Sequence, residues 1–151
     1  MKKLIAAFAL CAASSAALSA EPTTAVNAEK MYNALAYHMT TTYACQDVLG
    51  TKEDFQSAKT MMTDFLKQAL EDDNMTPAEG ADKIEQNIKQ AGVAKKTKDM
   101  FVKNKLTAEQ QKQYCQALEV NSFRQVAYIL RPDLAEQAKQ AQAKAAASTK
   151  K

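Results

Sequence analysis

Three side chains in this 151-residue sequence have the types and spacing to do chemistry: His38, Cys45 and Cys115. His38 is the sole histidine and lies seven residues before Cys45, on the same face of a helix. A nucleophile beside its base is one reading of that spacing. It requires a free thiolate, whereas Cys45 has a partner in Cys115, 70 positions on. Two cysteines in an exported chain are most simply a disulfide, and a disulfide sulfur is no nucleophile. His38 then reads as a core or interface residue. The sequence holds no C-x-x-C, no C-x-x-C-H, no G-x-S-x-G and no phosphate-cradling glycine loop. Haem between His38 and a methionine is the weaker reading, because helical methionines are more often core filler. The Glu71-Asp72-Asp73 run lacks the spaced oxygens and glycine of a calcium loop. The expectation is a protein with no catalytic residue, no cofactor and no metal.

The export reading comes from residues 1–20. Lys2 and Lys3, the apolar run Leu4–Leu10 and the small-residue exit Ala17-Leu18-Ser19-Ala20 have the layout of a secretory signal peptide. Cleavage after Ser19 or Ala20 discards Cys11 and leaves a chain expected in the periplasm. The mature chain is long enough for one domain with its own core. Setting aside Lys2 and Lys3, 18 Lys and Arg face 17 Asp and Glu, a balance that does not call for nucleic acid or a charged lipid surface. The basic excess is local: Glu136–Lys151 holds four Lys and one Glu. No later stretch approaches the roughly 18 apolar residues of a membrane span.

Glycine and proline number three each, β-branched alternation is absent, and apolar residues recur at three-four spacing. The fold class expected is all-α: a small single-domain bundle of about five helices over 21–131 with one disulfide. The Ala-, Gln- and Lys-rich tail 132–151 has little to bury and is expected to be frayed or disordered. The first helix should run from Thr24 or Asn27 to Leu49, with Met31, Leu35, His38, Thr42, Cys45 and Leu49 as one stripe and Gly50 as its cap. The Thr40-Thr41-Thr42 run should weaken its middle. Thr51 should cap the second helix, whose Phe55, Ala58, Met62, Phe65 and Ala69 form the cleanest apolar stripe, flanked by Met61, Leu66 and Leu70. Thr76-Pro77-Ala78-Glu79 is a capping box that opens a third helix ending at Gly92. A short fourth covers about Ala94–Asn104 and buries Met100 and Phe101. Thr107-Ala108-Glu109-Gln110 opens a fifth with Tyr114, Cys115 and Leu118 inward. There Asn121-Ser122 interrupts or recaps, and Phe123, Val126, Ala127 and Leu130 carry the last apolar face.

The segment Tyr43-Ala44-Cys45-Gln46-Asp47-Val48-Leu49, followed by Glu53-Asp54-Phe55-Gln56, resembles the first-cysteine segment of the HdeA/HdeB-type periplasmic acid-stress chaperones. That family shows a cysteine, a polar and an acidic residue, apolar positions, and an E-x-F-Q stretch about ten residues on. Tyr114-Cys115 with Phe123 eight residues later is similar to its second-cysteine segment. The helix before Cys45, the stretch between the cysteines and the tail are longer here than in that family. The resemblance implies a non-enzymatic holdase, folded and dimeric at neutral pH, that loosens in acid and binds unfolding envelope proteins. Phe55, Met61, Met62, Phe65 and Leu66 are then the candidate client-binding surface. Carboxylates protonate near pH 4, so the mature charge climbs towards about +20 at pH 2, and self-repulsion favours opening while the disulfide limits dispersal. The alternative is a periplasmic inhibitor or immunity-type protein that binds one enzyme at neutral pH. An enzyme would need a cleft with perturbed carboxylates.

Overall fold

The computed structural model describes residues 23–69 and 75–148; the expected signal peptide with Cys11, the Glu71-Asp72-Asp73 run and the last three residues lie outside them. The described chain is all-α and contains no strand. Its elements are α1 (Thr23–Leu49), α2 (Lys52–Ala69), α3 (Pro77–Gln90), α4 (Val93–Lys103), α5 (Ala108–Leu130) and α6 (Pro132–Ser148). The tail expected to fray is thus helical as far as Ser148. Ala, Gln and Lys have the propensity for it, and Pro132 stands at the first helical position.

α1 is the axis of the molecule. Its 27 residues span about 40 Å, and α5, α2, α4 and α3 all pack on it. The expected stripe is covered, with Leu49 only half so, but Ala34, Met39, Thr41 and Ala44 are buried as well. A helix with neighbours on several sides has no single apolar face, so periodicity recorded only part of its contact surface. The helix continues unbroken through the threonine run. Thr41 and Thr42 turn their hydroxyls onto the His38 carbonyl at 3.0 and 2.9 Å, so both are buried with their polar atoms satisfied.

Two cores form along α1. The larger joins Met31, Leu35 and Met39 of α1, Phe55, Met62 and Leu66 of α2, Ala81 and Ile88 of α3, and Val126 of α5. The smaller, at the other end, surrounds Cys45, Phe101 and Cys115 with Val48, Leu49, Met100, Leu106 and Leu118. The disulfide lies inside it, with the two Cα atoms 5.5 Å apart.

The helix ends follow local chemistry. Gly50 and Gly92 hold φ of +72° and +63°, where a side chain would be strained. Both capping boxes close as expected, at Thr76/Glu79 and Thr107/Gln110. Thr51 differs: the hydroxyl is buried without a hydrogen-bond partner, and its backbone carbonyl accepts from Asp54 N instead. At the end of α4, Lys105 takes a left-handed φ of 54° while its N–H reaches Val102 O and that of Leu106 reaches Phe101 O. This is a Schellman motif with lysine at the position glycine usually fills, which is why sequence reading missed it.

Asn121-Ser122 does not interrupt α5. The helix runs unbroken from Ala108 to Leu130, and Ser122 is buried against α1. Tyr114 is 40% exposed and not inward, leaning edge-on against Phe101. Phe123 and Leu130 are also exposed, at 51% and 64%, so the last apolar face is split and only Val126 is fully buried.

Candidate functional site

The five α2 residues expected to form a client surface are core in the folded state. Phe55, Met62 and Leu66 are buried, and Met61 and Phe65 are partly covered by the same cluster. Their lid on one side is α3, which packs on α2 and adds Ala81, Ile84 and Ile88 to that core. A charged cluster fastens the two helices at the surface. Lys59 Nζ sits 2.6 Å from Glu85 Oε2 and also meets Asp82, and Glu85 Oε1 meets Lys89 Nζ at 2.6 Å. Hydrogen bonds from Lys59 and then Lys89 hold the Glu85 carboxyl below its ordinary value. Those to Asp82 and Glu85 raise the Lys59 ammonium.

A second feature is an open groove of about 530 Å³ over α1, walled by α2 and α5. His38 and Thr42 form its floor; Asp54, Ser57 and Met61 come from α2; Glu119, Val120, Phe123, Arg124 and Ala127 come from α5. Its lining is mainly apolar, with Phe123 packed on the His38 ring at 5.6 Å.

His38 is buried where α1 meets α5, and its Nδ1 lies 2.9 Å from Ser122 Oγ. Ser122 Oγ in turn lies 2.9 Å from the Glu119 carbonyl and 2.8 Å from Thr41 Oγ1. The serine proton can point to a neutral Nδ1 or, if the ring is charged, swing to Glu119 O and accept from Nδ1–H. Burial holds the ring below its ordinary value, with Asp54 opposing. Glu119 is pushed the other way, up to about 7, by burial and then by the Asp54 charge. One carboxyl oxygen, Oε1, is out of contact with water and has no hydrogen-bond partner, although the group as a whole is only part-covered.

Sequence reading placed His38 correctly as a core or interface residue, and it missed Ser122, Glu119 and Asp54 as its neighbours. Nothing in a helical pattern could find them, since the four residues come from three helices. A carboxyl with a shifted pKa in a cleft is the sign of an acid or base. Cys45 is in the disulfide within the other core, and Ser122 is engaged with His38 and the backbone in a buried contact. Among the described residues no cluster of His, Cys, Asp and Glu is arranged to hold a metal, and no helix is long and apolar enough to cross a membrane.

Comparisons with known protein families, curated proteins and solved structures find no match to this chain.

Proposed function

We propose that the protein is a non-enzymatic periplasmic holdase, activated by acid, that binds unfolding envelope proteins. The observation that carries this reading is the fastening of α3 over the α2 stripe by Lys59, Asp82, Glu85 and Lys89. Protonating the two carboxylates removes the charges that hold Lys59 and leaves the two lysines to repel. Net charge rises over the whole chain in the same pH range. As α3 loosens, Met62, Leu66 and Phe65 come free beside Met61, which already lines the groove, and methionine-containing apolar surface adapts to varied partners. The Cys45–Cys115 link joins α1 to α5 throughout, so the opened chain stays compact around its second core. Purified mature protein should suppress aggregation of a client enzyme at pH 2–3 and not at pH 7. Absence of protection at every acidic pH removes the proposal.

The groove favours a second reading, a neutral-pH inhibitor or immunity-type protein. Val120 and Phe123 line it while 53% and 51% exposed, and an exposed apolar groove in a folded protein is a common docking site. That reading expects one partner recovered at pH 7, with binding unaffected by prior acid exposure.

A further inference from the structure

The near-even charge of the whole chain hides an uneven distribution. Residues 95–105, in α4 and the turn after it, hold five lysines and a single acid, Asp99. Over the rest of the described chain 11 basic residues face 12 acidic ones.

Helix geometry gathers these lysines on one face. α4 buries Phe101 and half-buries Ala94, Thr97 and Met100, which at about 100° per residue share the side packed on the molecule. The opposite side centres on Val102, which is 79% exposed, more than any other large apolar residue of the described chain. Lys98 flanks it on one side, Lys96 and Lys103 on the other, and Lys95 lies two turns before it. Two of the five lysines are matched within the protein, Lys95 by Asp99 at 2.6 Å and Lys98 by Asp47 of α1 at 2.8 Å. Lys96, Lys103 and Lys105 meet no carboxylate among the described residues. Lys105 is also the one non-glycine residue there with a positive φ. Glycine would take that conformation without strain, so the chain holds a charge where its backbone disfavours a side chain.

The make-up of this face selects its partner. It is the convex side of a helix, and neither groove over α1 includes a residue of α4. It holds lysine and no arginine. Protein interfaces favour arginine, whose planar fork pairs both oxygens of a carboxylate, and are depleted in lysine. Lysine is a point charge on a flexible apolar stem. It reaches phosphates at varied depth while the stem and a neighbouring aliphatic side chain rest among headgroups.

We propose that the α4 face docks the protein on an anionic phospholipid surface. Val102 lies against the headgroup layer, and Lys96, Lys103 and Lys105 meet lipid phosphates. Contact of this kind needs neither acid nor the opening of α3, so it stands apart from the holdase reading.

At pH 7 and low salt the mature chain should co-sediment with vesicles of mixed phosphatidylethanolamine and phosphatidylglycerol, and not with phosphatidylcholine vesicles. About 0.5 M salt should release it, because charges are then screened within a few ångströms. K105G should bind about fivefold more weakly while its thermal midpoint rises, which separates lost binding from lost folding. K96Q combined with K103Q should weaken binding about 25-fold. The sequence has no tryptophan, so V102W supplies a single reporter at an exposed position. Its emission should shift to the blue on the mixed vesicles and stay unmoved on phosphatidylcholine. Unchanged binding by the lysine variants, equal binding to neutral vesicles, or an unmoved V102W emission overturns the proposal. So does polyglutamate that moves this emission where the vesicles do not, a result that assigns the face to an acidic protein.

Discussion

Glu119 and His38 face the same groove and answer pH in opposite directions. Glu119 has a folded-state value raised from 4.5 to about 7. Its favourable contribution is fully present below 4.5 and is lost as pH rises through about 7. At pH 8 the carboxylate is charged beside Asp54 with one oxygen unpaired. E119Q should therefore stabilise the protein at pH 8, on the order of 1 kcal/mol after discounting for the water that still reaches the group. It should change nothing at pH 4. Urea melts at the two pH values check this. His38 is lowered, so its contribution is present above 6.5 and is lost as pH falls through its folded value. The ring therefore assists opening in mild acid while Glu119 resists it. Ser122 joins His38 and Thr41 across α1 and α5. Truncating it by S122A leaves buried polar atoms unpaired and should lower stability by about 1–3 kcal/mol at pH 7. At Lys105, the left-handed φ of 54° makes K105G a stabilising change of about 0.5–1 kcal/mol, readable as a higher thermal midpoint.

Among the elements, α3 is attached in part through two carboxylates, Asp82 and Glu85, that acid protonates. Its capping box and leading proline start it, but packing of Ala81, Ile84 and Ile88 on α2 and the Lys59 cluster hold it in place. Because the Glu85 carboxyl is held low, its contribution is present above 4.5 and is lost as pH falls through the folded value. E85Q should cost about 0.5–1 kcal/mol at pH 7 and nothing once pH is below that folded value. Equal destabilisation at both ends would place the role of Glu85 in packing and remove the ion cluster from the opening mechanism. M62A is the contrasting case. It empties a site with no exposure and should cost about 2–5 kcal/mol wherever the protein is folded.

For the whole molecule the disulfide sets how far the chain can open. It closes a 70-residue span, worth about 4 kcal/mol at most in the chain-entropy account, a large share of a small domain's net stability. Replacing both cysteines by serine should lower the urea midpoint at pH 7. In acid it should also increase the hydrodynamic radius well beyond that of the disulfide-bonded chain, which dynamic light scattering reads directly. The near-even charge balance at neutral pH and the steep positive swing in acid act on the same scale.

Much of this architecture was legible in the residues. Capping boxes at Thr76 and Thr107, glycine stops at Gly50 and Gly92, and the α2 stripe are short-range signals, written within a few neighbouring positions. They sufficed for an all-helical chain and most of its boundaries, and the expectation of export, which leaves two cysteines, pointed to the Cys45–Cys115 pair. Local signals also misled where a neighbour from elsewhere overruled them. Asn121-Ser122 reads as an interruption or a recapping, yet α5 is continuous there and Ser122 meets His38 and Thr41 of α1. The central place of α1, the lid role of α3 and the meeting of His38, Asp54 and Glu119 depend on which helices cross. Crossing is set by side-chain packing between segments tens of residues apart, and a period along one helix does not record it.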